Sequence, residues 1–236
     1  MRVVSLVPSS TETLLALGAD VVACSRFCQQ PDLAHVGGTK NPDIEAIVAL
    51  APDLVVLDRE ENRVEDHDAL VAAGLDVLVT DVVDVAGALD VVQTLADSAG
   101  VVDRPDLVGA ATLSPPFGGE RRTAFVPIWR RPWMTISEAT YGGSLLSHLG
   151  VDLIEVDDGA TYPSVELEDV AAAAPELVIV PSEPYVFGPA HLDELRGAIS
   201  TATIVEVDGQ DLFWWGIRTV GAISRLAQVL GPPPTA

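Results

Sequence analysis

Short runs of β-branched residues alternate along this chain with segments whose apolar positions recur at helical spacing. In the first half the pattern predicts strands over residues 3–7, 21–24, 54–57 and 77–80, separated by helices over 10–17, 44–50 and 64–73. In the second half it predicts strands over 123–128, 153–156, 177–180 and 203–207, with helices over 143–149, 165–173, 191–199 and 217–230. Strands spaced by helices predict an α/β protein with parallel sheets covered on both faces. Between the halves one helical pattern spans 85–100 and another covers 103–113, until Ser114-Pro115-Pro116-Phe117-Gly118-Gly119 interrupts the chain. The expected division is an N-terminal α/β lobe over 1–83, a helical linker over 84–122 and a C-terminal α/β lobe over 123–236, ending in a frayed Pro232-Pro233-Pro234 tail.

The halves also answer one another in sequence. Leu14-Leu15-Ala16-Leu17-Gly18 matches Leu145-Leu146-Ser147-His148-Leu149-Gly150. A longer pair follows in the same order: the stretch from Ile44 through Ala51-Pro52-Asp53 to Leu57 matches that from Leu167 through Ala174-Pro175-Glu176 to Val180. In both, proline ends a helix and an acid opens the turn into a strand buried on both faces. Two matched elements in one order point to duplication of a half-domain. At the first helix, Ser9-Ser10-Thr11-Glu12 reads as hydroxyl caps with an acid in the first turn, and Gly18 as the C-terminal stop.

Composition narrows what such a protein does. At 236 residues and 48% hydrophobic content the chain can fill globular cores. Its 35 acidic against 13 basic residues give a net charge of −22, with Lys40 the sole lysine, so nucleic acid and anionic membranes are repelled. The acidity itself reads as a solvated surface. Cys24 and Cys28 are too few for a disulfide framework or a structural zinc site; both a pair and two free, part-buried thiols are compatible with their spacing. His35, His67, His148 and His191 are scattered, so no metal-ligand set is expected. There is no Gly-x-Gly-x-x-Gly, phosphate loop or Gly-x-Ser-x-Gly elbow, and no catalytic residue is assigned. No apolar run is long enough to span a bilayer, and Met1 leads directly into a strand, which predicts a cytoplasmic protein or one whose leader has been removed.

Ligands of open parallel sheets bind at the carboxyl ends of the strands, which singles out five loops. Ser9, Ser10 and Thr11 follow the first strand and either cap their helix or receive a polar ligand group. Phe27 and Lys40 lie in the long irregular stretch 27–42. Glu60, Glu61 and Asn62 follow strand 54–57, and Glu183 and Tyr185 follow its repeat partner 177–180. Trp129 and Trp133 follow strand 123–128, and Phe213, Trp214 and Trp215 follow strand 203–207. All four tryptophans of the chain thus stand near strand ends, which suggests a flat apolar ligand surface rather than core filling.

Ser5-Leu6-Val7-Pro8-Ser9-Ser10-Thr11-Glu12, Gly37-Gly38-Thr39-Lys40-Asn41-Pro42-Asp43, Ala51-Pro52-Asp53-Leu54-Val55 and Ser182-Glu183-Pro184-Tyr185 together resemble the helical-backbone receptors for vitamin B12 and iron siderophores. Segments 127–134 and 207–215 look like the second-lobe segments of that family. The resemblance implies two Rossmann-like lobes joined by a helix with a ligand cleft, no covalently bound cofactor, a cobalamin or other metal chelate as ligand, and delivery to the permease of an ABC importer by a monomeric, extracytoplasmic receptor. In the cobalamin branch aromatic side chains line the cleft, which here implies Phe27, Trp129, Trp133, Tyr185 and the Trp214-Trp215 pair. An acid on each lobe docks the transporter, Glu60 or Glu61 on the first and Glu183 as a candidate on the second. Two alternatives stay open. A ferric siderophore or haem would be held by Lys40, Arg130 and Arg131, and a cytoplasmic corrinoid-handling protein or enzyme would use the same fold.

Overall fold

The computed structural model describes residues 1–102, 120–156 and 159–231. The helix expected over 103–113, the Ser114–Gly119 break and the Pro232-Pro233-Pro234 tail lie outside the described residues. The chain divides into two compact units. The first is built on Met1–Val82 with most of the following helix and Trp215–Arg218, and the second on the later strands and helices with Val83–Val85.

The first unit contains β1 (Arg2–Ser5), α1 (Pro8–Ala16), β2 (Asp20–Cys24), the short β3 (Ala34–His35), β4 (Gly37–Gly38) and β5 (Asn41–Pro42), then α2 (Ile44–Ala49), β6 (Leu54–Asp58), α3 (Val64–Ala72) and β7 (Val77–Thr80), followed by α4 (Val85–Ser98). The second unit contains β8 (Arg122–Phe125), β9 (Trp133–Met134), α5 (Tyr141–His148), β10 (Val151–Leu153), β11 (Ser164–Val165), α6 (Leu167–Ala172), β12 (Leu177–Pro181), α7 (Pro189–Ala198), β13 (Thr203–Val207), α8 (Gly209–Phe213) and α9 (Thr219–Leu230).

The two main sheets follow one plan. The first runs β3-β2-β1-β6-β7 and the second β10-β8-β12-β13, and every pairing in both is parallel. Dropping the short edge strand β3 leaves the same order in each, with the strand that opens the unit second from one edge. All five residues of β6 and of β12 are buried, as central parallel strands covered by helices require. Val4, Val55 and Leu57 of the first sheet pack with Ile47 of α2 and Leu70 of α3. Phe125, Val178 and Val180 of the second pack with Val170 of α6 and Leu195 of α7. Ile47 and Val170 occupy matching positions of the repeat, and each such buried side chain contributes about 1.5–3 kcal/mol by leaving water.

The repeat read from the sequence extends to the backbone. Gly18 and Gly150, just past α1 and α5, both adopt the left-handed conformation at φ 78° and 80°, which stops each helix at little steric cost. Ala51 and Ala174 do so as well, at φ 46° and 48°, although each carries a Cβ. The acid after each proline has a definite task. The Asp53 carboxylate accepts the Arg2 backbone N–H at 2.7 Å, and Glu176 accepts that of Thr123 at 3.1 Å. In return the N–H groups of Asp53 and Glu176 donate to the carbonyls of Arg2 and Thr123. The Ala-Pro-acid turn therefore clamps the start of the following strand to the start of the strand that opens its unit.

Three expectations are corrected. The first helix starts at Pro8, with Val7 as an N-cap that offers no side-chain bond, because a proline at the first helical position nucleates the helix ahead of the serines. Ser9, Ser10 and Thr11 therefore lie inside the first turns, and Glu12 pairs with Arg218 at 2.6 Å instead of serving the helix start. Val165 belongs to β11 and not to the following helix, and a short helix absent from the sequence expectation, α8, is capped by Asp208, whose carboxylate accepts the Gln210 N–H at 2.9 Å.

Left-handed backbone costs an L-residue about 1–2 kcal/mol, against about 0.5–1 kcal/mol of extra chain entropy for glycine. Ala174→Gly is thus expected to stabilise the protein, by about 0.5–1 kcal/mol. Denaturant unfolding checks this; a lower midpoint for the glycine variant would show that the turn is not strained at this residue.

Candidate functional site

In each unit the chain leaves the opening strand to one side for its first neighbour and later returns on the other side, so the connections diverge at the carboxyl ends of β1 and β6, and of β8 and β12. Such switch points are where open α/β sheets offer a crevice. The candidate residues gather at these ends, and each unit is built differently.

In the first unit the loop after β6 is organised by Asp58, the first residue of the charged stretch 58–63 that follows the strand run 54–57. Its Oδ1 accepts the N–H groups of Glu60 at 2.9 Å and Glu61 at 3.4 Å, and its Oδ2 accepts the Thr80 hydroxyl at 2.8 Å. Burial pushes the Asp58 carboxyl above its ordinary range, and these hydrogen bonds oppose the shift. Asn62, expected to meet ligand, is buried and faces inward: its Oδ1 accepts the Asp58 N–H at 2.8 Å and its Nδ2 donates to the Thr39 carbonyl at 2.9 Å. Lys40 joins the same two loops by donating to the Glu60 carbonyl at 2.5 Å. Glu60 and Glu61 themselves are exposed. An acid closing an otherwise apolar strand was the clue to Asp58 available in the sequence.

Beside this loop, Phe27 is half-exposed, with the Arg26 guanidinium 5.0 Å from its ring centroid. Its ring rests on Gly38, where an added Cβ would come within 3.2 Å of Phe27 and 2.6 Å of the Asn41 side chain. Ser9, Ser10 and Thr11 are buried. Thr11 reaches the Val7 carbonyl and the Ser5 hydroxyl at 2.8 Å each, while the Ser10 hydroxyl has no hydrogen-bond partner among the described residues.

The second unit brings aromatic residues together. After β8 the chain folds back on itself: the Ile128 N–H donates to the Met134 carbonyl and the Met134 N–H to that of Trp129, placing Arg130, Arg131 and Pro132 at the tip. The hairpin turns its tryptophans to opposite environments. Trp133 is buried, stacked on Phe187 with ring centroids 5.8 Å apart, and has the Arg130 guanidinium at 4.8 Å. Trp129 is 45% exposed and meets Tyr185 edge-on at 5.1 Å. Tyr185 continues to Phe187 at 4.8 Å and to the His191 ring at 5.6 Å. His191 Nδ1 accepts the Gly188 N–H at 3.0 Å, which leaves the proton of the neutral ring on Nε2. Arg130 also grips Glu194 through two bonds of 3.1 and 2.6 Å.

The remaining candidates are held inside their units. Trp214 is buried and its indole N–H donates to Glu183 Oε1 at 2.7 Å. Gly209 presses on the Glu183 backbone so closely that a Cβ there would come within 2.7 Å of the Glu183 nitrogen. Phe213 is half-buried against Gly142. Trp215 is buried and belongs to the segment grouped with the first unit, where the Ile217 N–H donates to the Thr13 hydroxyl at 3.2 Å. The expected aromatic surface is thereby narrowed. Trp133, Trp214 and Trp215 are buried, and Trp129 with Tyr185 is the accessible pair. Three-dimensional proximity adds His191, and it gives Asp58 and Phe187, which lie in the loop stretches 58–63 and 182–187, their partners. A surface groove lined by Ile154, Glu155, Val165, Glu166 and Asp169 lies elsewhere in the second unit and contains none of the expected residues. Among the described residues no group of three or more His, Cys, Asp or Glu is placed to hold a metal ion, and no helix is long and apolar enough to cross a membrane.

Residues 3–110 match the periplasmic binding protein family. The vitamin B12-binding protein of Salmonella paratyphi A is 28% identical over 190 residues, covering 76% of this chain and 71% of the relative. That of Yersinia pestis is 28% identical over 195 residues, covering 76% and 69%. Among solved structures, the periplasmic vitamin B12 binding protein of Vibrio cholerae superposes with a TM-score of 0.73 at 20% identity, covering 97% of this chain and 96% of the other. A periplasmic heme binding protein from Pseudomonas aeruginosa gives 0.77 at 20% identity, covering 100% and 95%. The resemblance read from the sequence is thus shown, and the fold is that of the periplasmic binding proteins.

Because the Asp58 carboxyl is raised in the folded protein, its contribution to stability is fully present below the ordinary carboxylate value of 3.8 and is lost as pH rises through the raised value. Asp58→Asn removes the ionisation but keeps an acceptor for the loop N–H groups, with its amide donating to Thr80. Its stability relative to the parent is expected to improve as pH climbs from 3 to 7, whereas Asp58→Ala loses about 1–3 kcal/mol at any pH through unpaired loop N–H groups. Thermal melts of the three proteins across that range provide the check; an Asn variant that weakens with rising pH would contradict the sign.

Proposed function

We propose that this protein is a non-catalytic solute-binding protein whose ligand is a cobalamin-like corrinoid, and that it serves as the extracytoplasmic, monomeric substrate-binding component of an ABC importer. The observation that carries the reading is the pair of exposed Trp129 and partly buried Tyr185 in the loops after β8 and β12. Its two rings give a large, nearly planar ligand an apolar contact whose geometry is fixed by Phe187, Trp133 and His191 behind it. Within the first unit, Phe27 is a half-exposed ring of its own. The names of the relatives point in the same direction, since those 28% identical over 190 and 195 residues are vitamin B12-binding proteins.

A haem or ferric siderophore is the competing ligand, supported by the fold likeness to heme binding proteins. Such anionic chelates need basic partners, and here Arg130 is engaged by Glu194 while Lys40 is held by the Glu60 carbonyl. The corrinoid, which carries amide edges around an apolar face, fits this set better. For transporter docking, Glu60 or Glu61 serves on the first unit. Glu183 is a poor counterpart, because its carboxylate accepts the Trp214 indole N–H.

Titration with cyanocobalamin is expected to quench tryptophan fluorescence with a Kd of about a micromolar or less, and Trp129→Ala to weaken binding at least about tenfold, or 1.4 kcal/mol. Saturation by haemin or a ferric siderophore, with no response to tens of micromolar cobalamin, would overturn the corrinoid assignment.

A further inference from the structure

At the carboxyl end of β2 the two cysteines of the chain meet in a buried polar cluster that the ligand reading does not use. Cys24 ends the strand and Cys28 closes the turn after it, where its N–H donates to the Ser25 carbonyl at 3.1 Å. Both residues are buried and both thiols are free, and each side chain acts electrostatically on the other. Around Cys28 Sγ stand the Ser25 and Thr11 hydroxyls, each at 3.2 Å. The two hydroxyls are not equivalent. Ser25 accepts the Phe27 N–H at 3.4 Å and has its own proton free to point at sulfur. The Thr11 proton is also claimed by the Val7 carbonyl and the Ser5 hydroxyl at 2.8 Å.

We propose that Cys24 and Cys28 form an oxidisable dithiol pair that closes to an intramolecular disulfide under a small peroxide oxidant, with Cys28 as the attacking sulfur. The Cys24 side chain and the Ser25 hydroxyl lower the pKa of Cys28 against the effect of burial, which makes Cys28 the better thiolate nucleophile of the two. Cys24 is pushed up by that same sulfur pair and by burial, and keeps its proton. Cys28 thiolate attacks the O–O bond of hydrogen peroxide, forming the S–O bond of a sulfenic acid and releasing hydroxide. Cys24 then attacks Cys28 Sγ, the S–O bond breaks, and its oxygen leaves with the Cys24 thiol proton as water. In sum, two thiols and one peroxide give one disulfide and two waters. The buried setting favours this small oxidant over a bulky disulfide. The bond would close the ring 24–28, which carries Arg26 and Phe27, and so restrain the turn that presents the Phe27 ring. The inference does not depend on the identity of the ligand.

Trypsin supplies a direct readout, because it cuts after Arg26, between the two cysteines. After treatment of the folded full-length chain with hydrogen peroxide and alkylation in denaturant, peptide 3–26 is expected to be found joined to peptide 27–40, and to separate on reduction with dithiothreitol. In Cys24→Ser, Cys28 is expected to accumulate as a sulfenic acid that dimedone traps. The proposal is overturned if peroxide leaves both thiols alkylatable, takes Cys28 to sulfinic acid with Cys24 free, or links one chain to another. Faster trapping at Cys24 in Cys28→Ser than at Cys28 in Cys24→Ser would reverse the assignment of the attacking sulfur.

Discussion

A parallel strand buried on both faces cannot be reached by a short turn, and much of this molecule follows from that restriction. β12 is apolar throughout and β6 is apolar up to its closing Asp58, and both are buried throughout. Their neighbours in the sheet run in the same direction, so the chain must cross back over a face each time, and the crossing segments become the helices that keep water from the strands. The crossings also create the functional ends. Backbone groups along the strands are paired within the sheet, whereas the loops at the carboxyl ends are free to carry side chains chosen for another purpose.

Where those loops need shape, the protein spends polar groups on its own backbone. Asp58 holds the turn bearing Glu60 and Glu61, Asn62 ties that turn to Thr39, and Lys40 adds a third link. In the second unit the corresponding work is done by rings, with Phe187 and Trp133 stacked beneath Tyr185 and the Trp129 hairpin. One unit therefore presents a loop stiffened by hydrogen bonds and carrying exposed carboxylates, and the other an aromatic face stiffened by packing. Duplication preserved the frame, down to the left-handed alanines and the turn acids, while the loops after matching strands diverged in chemistry.

Much of the frame could be read directly from the residues. The alternation of β-branched runs with helical spacing, the glycine stops and the Ala-Pro-acid turns are local properties, governed by backbone conformation within a few residues, so their placement needed no knowledge of distant contacts. The motif resemblance to vitamin B12 and siderophore receptors was legible for a similar reason: strand-end segments are contiguous in sequence. The first helix start was misplaced because hydroxyl capping and proline nucleation compete within three residues, and the proline prevailed.

What only the tertiary structure decided is which side chains face outward. Four tryptophans near strand ends look alike in sequence, yet one hairpin buries Trp133 and exposes Trp129, and a hydrogen bond to Glu183 occupies Trp214. The roles of Asp58, Phe187 and His191 are likewise set by partners 2 to 22 residues away or more in the chain, such as Thr80 for Asp58. Local sequence determined the repeated strand–helix frame, because backbone propensity and hydrophobic period act over a few residues. The make-up of the candidate site was settled by packing and hydrogen-bond satisfaction, which depend on neighbours that only folding brings together.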